Sequence, residues 1–201
     1  MNNHGGGEKQ SLSQKLYDLA ERQAGYFTAA QAKAFGFSQR QLTYYVRSGR
    51  FLRVRWGIYR LVLFPSSPHE DLFVAWLETG SDAVISHESA LAIYELSDAL
   101  PASIHVTVPR SASRRRPRLA LHTNRLDPEE VTVLSGLPVT IVLRTIADVA
   151  SGGLADELVH QALQQAIQRG LTTTAGLRRY AEIRGGRLRR LVDQALEELA
   201  A

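Results

Sequence analysis

Ser86, His87 and Glu88 are consecutive in the chain and bring together a hydroxyl, an imidazole and a carboxylate. Nucleophilic catalysis combines these types of group. Serine is also a preferred residue at the start of a helix. We interpret the triplet as a helix cap followed by an exposed polar first turn, and we predict no catalytic residue in this chain.

Two further histidines, His105 and His122, fall on the polar positions of two candidate strands and could face each other. A zinc site needs at least three protein ligands. Two histidines without a third ligand are more often ordinary surface residues, so we expect no metal site and no cofactor. The chain has no cysteine, which excludes disulfides, thiolate metal sites and a cysteine nucleophile. Serine-elbow, phosphate-loop and zinc-helix motifs are also absent from the sequence.

Arginine shows the clearest pattern in the sequence. Residues 37–61 carry six arginines and no acid, and no acid occurs between Glu21 and Glu70. Residues 1–65 have a net charge of +7, whereas residues 66–201 have a net charge of −3. The overall charge of +4 therefore conceals a basic N-terminal region. This asymmetry favours a polyanionic partner there, either nucleic acid or a membrane surface.

The basic region is expected to begin with two short helices. Leu12, Leu16 and Leu19 have helical spacing, and Gly25 ends that segment. Thr28 can cap a second helix, which closes before the next glycine.

A third helix and a hairpin should follow. Ser38 can cap the helix with Gln41 three residues later, which is the capping-box pattern, and Gly49 can terminate it. Two β-prone segments then flank residues 55–57, a short hairpin turn.

Three short helices followed by a basic hairpin is the order of a winged helix-turn-helix domain. The third helix can enter the major groove of DNA while arginines of the hairpin reach the flanking phosphates. A carboxylate in this stretch would be repelled by phosphate. A solvated basic surface without a ligand is the alternative, and membrane binding is disfavoured because the opposite helix face is needed for the core. The residues predicted to contact double-stranded DNA are Ser38, Gln39, Arg40, Thr43, Tyr44, Arg47, Arg50, Arg53, Arg55, Trp56 and Arg60.

The segment GYFTAAQAKAFGFSQRQLTYYVRSGRFLRVRWGIYRL resembles the N-terminal domain of the AbiEi-type antitoxins of bacterial type IV toxin–antitoxin systems. The patterns T-x-x-Q-A and S-G-R-x-x-R-V-R-x-G-x-Y carry the resemblance. The segments AVISHESALAIYELSD, IHVTVPR and GLPVTIVLRTIADVA extend it, so that it covers roughly residues 13–170. The resemblance implies a sequence-specific repressor that autoregulates its operon and counteracts a nucleotidyltransferase-like toxin.

Some longer proteins with this type of N-terminal region continue into a Vsr-like endonuclease domain. No D/E-x-K cluster follows a candidate strand here, so we expect that nuclease to be absent and the protein not to be an enzyme. The rival readings are a DNA-targeted nuclease or nucleotidyltransferase and a regulator that senses a ligand. The operator, the oligomeric state and the toxin's target cannot be derived from the sequence.

The expected fold class is α+β, a winged helix-turn-helix domain followed by a mixed α/β domain with a helical C-terminal tail. We predict a disordered tail over residues 1–10, the DNA-binding domain over residues 11–65 and a partner-binding domain over residues 66–201, with residues 63–68 as the linker. The start of the chain is polar and lacks the apolar stretch of a signal peptide, and no apolar run is long enough to span a membrane. A cytoplasmic location is expected.

A second basic segment, residues 109–118, lies between two candidate strands of the C-terminal region. It contains five arginines and no acid: Arg110, Arg114, Arg115, Arg116 and Arg118. Three readings remain open, namely a mobile solvated loop, a second phosphate contact and a docking surface for an acidic partner.

Overall fold

A computed structural model describes residues 5–200 of the chain. It divides into two compact units with the boundary between Ser81 and Asp82. The sequence predicts this boundary between residues 65 and 66, and the structure places it later because the helix Glu70–Thr79 packs with the first unit. With the observed boundary the N-terminal unit has a net charge of +4 and the C-terminal unit is neutral.

The N-terminal unit is a winged helix-turn-helix, as the sequence predicts. Its three antiparallel strands lie in the order β1-β3-β2, and β2 and β3 form the hairpin of the wing. The elements are α1 (Gly5–Arg22), β1 (Tyr26–Thr28), α2 (Ala29–Ala34), α3 (Gln39–Arg47), β2 (Phe51–Arg55), β3 (Ile58–Leu61) and α4 (Glu70–Thr79).

The first helix starts earlier than expected. Helix α1 begins at Gly5, so the predicted disordered tail is wrong for residues 5–10. Glu8, Lys9 and Gln10 have high helix propensities, which favours extension of the helix towards the N-terminus. Residues 1–4 and the side chain of Leu12 lie outside the described part of the structure.

The core of the N-terminal unit is aromatic. The ring of Phe27 is buried and lies 4.9 Å from that of Phe51 and 5.7 Å from that of Tyr59, measured between ring centroids. Gly25 directly precedes β1 and has a φ of +85°. A Cβ atom at this position would lie 2.6 Å from Cγ of Phe64, so both the backbone conformation and the packing require glycine.

Helix α4 belongs to the N-terminal unit because it packs against the winged-helix sheet. The ring of Phe73 on α4 stacks on that of Tyr26 with 6.3 Å between the centroids. The predicted linker is also part of this unit, since Phe64 packs against the aromatic core and its carbonyl accepts a hydrogen bond from Arg60. The proline and serine content of residues 63–68 had indicated a linker, but those residues form an ordered connection.

The C-terminal unit has a mixed five-stranded sheet in the order β6-β5-β4-β8-β7. Strand β4 is antiparallel to β5 and parallel to β8, while β6 is parallel to β5 and β7 is antiparallel to β8. The strands are β4 (Val84–Ile85), β5 (Ile104–Thr107), β6 (Leu119–His122), β7 (Val131–Leu134) and β8 (Leu137–Thr140).

The helices of this unit form its main apolar core. Ile146, Leu163 and Leu191 come from three different helices and are each at most 1% exposed. The helices are α5 (His87–Ile93), α6 (Val142–Ser151), α7 (Asp156–Gln168), α8 (Thr174–Arg184) and α9 (Gly186–Ala200). This confirms the predicted mixed α/β architecture with a helical C-terminal end. No helix in the described residues is long and apolar enough to cross a membrane.

A buried ion-pair network lies beside this core. The guanidinium of Arg144 on α6 donates to Glu130 at 2.5 Å and to Asp148 at 2.8 Å, and all three residues are at least nine-tenths buried. Tyr180 and Arg184 of α8 also donate to the Glu130 carboxylate. These hydrogen bonds and the nearby guanidinium groups hold the pKa of Glu130 below its usual value despite the opposing effect of burial.

Arg144→Ala should strongly destabilise the C-terminal unit. The substitution leaves the buried carboxylate of Asp148 without its ion-pair partner and removes one of the two arginines that pair with Glu130, a loss that typically costs about 3–5 kcal/mol. Arg125→Ala is the matched control, because Arg125 pairs with Asp127 while its side chain is 93% exposed, and exposed pairs contribute about 0–1 kcal/mol. Urea denaturation followed by far-UV circular dichroism measures both, and equal losses for the two variants would contradict the role of Arg144.

Candidate nucleic-acid interface

Helix α3 is positioned by the capping box that the sequence predicts. The backbone N–H of Gln41 donates to the Ser38 hydroxyl at 3.2 Å, and the backbone N–H of Ser38 donates to the Gln41 side chain at 2.8 Å. Leu42 is buried in the aromatic core. The cap fixes where the helix begins, and the burial of Leu42 fixes which face points outward. Ser38 therefore has a structural role beside its predicted DNA contact.

The outward face of α3 carries the residues assigned to base readout. Arg40, Thr43, Tyr44 and Arg47 are all exposed, and the Tyr44 side chain is 64% exposed. The hydroxyl of Thr43 donates to the carbonyl of Gln39 at 3.0 Å. The face thus presents two guanidinium groups and two hydroxyls, which suit the acceptor-rich edge of a base pair in the major groove.

The tip of the wing presents an exposed aromatic ring with a cation stacked on it. Trp56 is 90% exposed, and the guanidinium carbon of Arg53 lies 4.3 Å from the centre of its ring. The register of β2 against β3 shifts between Arg53 and Arg55. Such a bulge strengthens the local twist of a hairpin.

Two of the predicted DNA contacts are paired with acids of α4. Arg55 lies 3.0 Å from Glu78 and Arg60 lies 3.2 Å from Glu70. The Arg60 side chain is only 15% exposed and also donates to the carbonyls of Phe64 and Pro65. Arg60 is therefore committed to interactions within the unit. The basic segment contains no acid in its own sequence, but the fold places two carboxylates of α4 beside its arginines.

Four arginines of the predicted set remain without an ion-pair partner among the described residues. They lie on both parts of the interface: Arg40 and Arg47 on α3, Arg50 after it and Arg53 on the wing. The guanidinium of Arg50 lies over the ring of Tyr45, 5.6 Å from its centre. These four residues are the unpaired positive charges of the interface.

The second basic segment connects two parallel strands, β5 and β6. Parallel neighbours require a crossover, and here residues 108–118 provide it with a single 3-10 turn at Arg110–Ala112. Four of its arginines are exposed, whereas Arg116 is half-buried and donates to the carbonyl of Ala112 at 3.1 Å. The three readings of this loop stay open.

The histidines of the C-terminal unit are arranged differently from the expectation. His105 and His122 do face each other, but His87 joins them. The interpretation of Ser86–Glu88 as an exposed helix start is wrong, because Ser86 and His87 are buried. Ser86 occupies the N-cap position of α5 without a capping hydrogen bond from its side chain, since its hydroxyl accepts from Thr107 and contacts His87.

The N-terminal region is similar to a known protein family. Residues 14–62 match the family model described as "Transcriptional regulator, AbiEi antitoxin". The matched region contains α3 and the whole wing. It is thus similar to transcriptional regulators of the antitoxin class, in agreement with the resemblance seen in the sequence.

No curated protein sequence matches the chain. Among solved structures, the RV2827C protein from Mycobacterium tuberculosis is similar with a TM-score of 0.51 and 13% sequence identity. The alignment covers 92% of this chain and 75% of that one. At this identity the similarity concerns the fold alone, and it extends over both units.

Proposed function

We propose that this protein is a sequence-specific DNA-binding repressor that acts as the antitoxin of a type IV toxin–antitoxin system. The proposal rests chiefly on the exposed face of α3, whose opposite face is buried in the core. The family match over residues 14–62 supports it. In this proposal the protein represses its own operon and counteracts a nucleotidyltransferase-like toxin in the cytoplasm, without catalytic activity of its own.

Helix α3 is proposed to read bases in the major groove. Arg40 lies in the first turn of the helix, and the N-terminal residues of a recognition helix are those that approach base edges. Arginine donates two hydrogen bonds to guanine, which is the most common specific contact. Gln39 lies beside it, and Thr43, Tyr44 and Arg47 extend the same surface.

The wing and the residue before it are proposed to bind phosphates. Arg50, Arg53 and Arg55 extend from the end of α3 along β2, and Trp56 at the tip can lie against the sugar–phosphate backbone. Arg55 would exchange its partner Glu78 for a phosphate. Arg60, which is held by Glu70 and two carbonyls, is no longer proposed as a contact.

The affinity for DNA should fall steeply with salt concentration. Three phosphate contacts by these arginines give a slope of log K against log salt of about −3. Fluorescence anisotropy of labelled promoter DNA measures this slope, and Arg53→Ala should make it shallower by about one. A flat salt dependence would refute the phosphate contacts.

Substitutions on the helix and on the wing should have different effects on specificity. Arg40→Ala should cost about 1–3 kcal/mol on the operator and less on random DNA, because it removes a base contact. Arg53→Ala should weaken binding to both DNAs about equally. The same anisotropy assay with both duplexes measures the four affinities.

Arg60→Ala serves as the comparison for these variants. Because Arg60 interacts within the N-terminal unit, its loss should lower the thermal stability of that unit.

If Arg40→Ala and Arg53→Ala each reduce the affinity for operator and random DNA by the same amount, α3 does not read bases.

The two units should divide the activities of an antitoxin. Each unit has its own apolar core, so we expect residues 1–81 to bind the operator alone and residues 82–201 to neutralise the toxin alone. To test toxin neutralisation, each fragment is expressed together with a nucleotidyltransferase-like toxin that the full chain neutralises. Growth of the cells then shows which fragment neutralises the toxin. Rescue by residues 1–81 alone would show that the proposed division is wrong.

A further inference from the structure

Three histidines meet over one face of the sheet in the C-terminal unit. His87 is the first residue of α5 and directly follows β4, His105 lies on β5, and His122 ends β6. The backbone N–H of Ser86 donates to the carbonyl of His105. In the β5–β6 ladder His122 pairs with Thr107, which lies on the same face of the sheet as His105. The topology therefore brings together residues that are far apart in sequence.

The ring nitrogens of these histidines are spaced as metal ligands are. Nε2 of His122 lies 3.2 Å from Nδ1 of His105. Zn–N bonds of about 2.0–2.1 Å place two nitrogens of a tetrahedral site about 3.3 Å apart. One nitrogen from each of the three residues lies within 4.8 Å of the other two, so the site closes when one ring turns and brings its nitrogen nearer to the other two.

The environment keeps the three imidazoles neutral. Burial, together with the neighbouring histidines, lowers the pKa of His87 to about 3 and that of His122 to about 4. Burial also lowers the pKa of His105, against the opposing effect of Glu88. Burial therefore acts in the same direction on all three rings.

A buried carboxylate oxygen next to the cluster lacks a partner. Oδ1 of Asp148 accepts from Arg144, but Oδ2 has no hydrogen-bond partner among the described residues. Oδ2 lies 3.9 Å from Nδ1 of His87. A carboxylate behind a ligating histidine is the usual outer-shell partner in zinc sites. A cation bound to His87 would add a second positive charge beside this carboxylate, whose other oxygen is held by Arg144.

The backbone at His87 is also strained. Its φ of +52° lies in the left-handed region, which is uncommon for residues other than glycine, although histidine adopts it more often than most side chains do. Such conformations concentrate at functional sites, where the surrounding structure maintains them. The His87 ring is stacked on that of His122, with 3.5 Å between the ring centroids and 12° between the ring planes, so one of the two rings must turn before nitrogens of both can face a single ion.

We propose that His87, His105 and His122 bind one Zn²⁺ ion, with a water molecule as the fourth ligand. Three neutral imidazoles in this geometry favour zinc over magnesium or calcium, which prefer oxygen ligands. His105 and His122 are only half-buried, so solvent reaches the site and can supply the fourth ligand. The ion ties the edge strand β6, and with it the arginine-rich crossover loop, to β5 and to the start of α5.

Zinc titration of the metal-stripped full-length protein tests the site. The protein is treated with EDTA, dialysed, and titrated with ZnCl₂ against a chromophoric chelator. We expect one ion per chain with a micromolar or lower dissociation constant and a higher thermal midpoint, because a ligand that binds only the folded state stabilises it. Replacement by Co²⁺ should give the strong visible absorption of tetrahedral cobalt. Absence of stoichiometric zinc binding would overturn the proposal.

Variants identify the ligands. His122→Gln and His105→Gln should each lower the affinity for zinc. The loss should be larger than the effect of removing an outer-shell partner, which is about 10–100-fold. His122→Gln is the milder change, since it lies at the end of the edge strand, and circular dichroism checks that it folds. His160→Gln is the matched control, because His160 is a half-buried histidine on α7 of the same unit. Undiminished binding in the His105→Gln/His122→Gln double variant would assign the zinc to another place and refute the site.

Discussion

The buried guanidinium of Arg144 organises the C-terminal unit. A charge that is 2% exposed is tolerated only with well-placed counter-charges, so Glu130 before β7 and Asp148 on α6 must face it. Glu130 in turn holds Tyr180 and Arg184 of α8. The sheet, α6 and α8 are thus fixed relative to one another by Arg144 and Glu130 together. Its hydrogen bond to one oxygen of Asp148 leaves the other oxygen directed at His87, which links the ion-pair network to the histidine cluster.

Ion pairs also organise the N-terminal unit, but only some of its arginines take part in them. Helix α4 supplies Glu70 and Glu78, and these acids hold Arg60 and Arg55 against the sheet. The arginines of α3 and of the wing tip have no such partner among the described residues. The acids of α4 therefore fix the buried Arg60 within the fold and pair with Arg55, which stays half exposed, while the unpaired arginines direct their charge outward. The net charge of the unit does not reveal this division, but the positions of the carboxylates do.

Local patterns predicted much of the fold. The capping boxes at Thr28 and Ser38 involve residues three apart, so their chemistry is visible in the sequence, and the helical C-terminal end is predicted from the sequence as well. Strands β1 and β4 are only three and two residues long and exist because longer partners pair with them. The placement of α4 and the meeting of His87 with two distant histidines depend on tertiary contacts, which no short pattern encodes. The DNA contacts themselves remain predictions.

The exposure of Trp56 gives the protein an optical property. The chain contains two tryptophans, of which Trp56 is 90% exposed at the tip of the wing, while Trp76 on α4 has its indole nitrogen buried. An indole in water emits fluorescence at longer wavelengths than one shielded by protein. The long-wavelength part of the emission therefore comes mainly from the wing, and the short-wavelength part reports the packing of α4. DNA contact at the wing tip and unfolding of the N-terminal unit can therefore be distinguished by emission wavelength in the unlabelled protein.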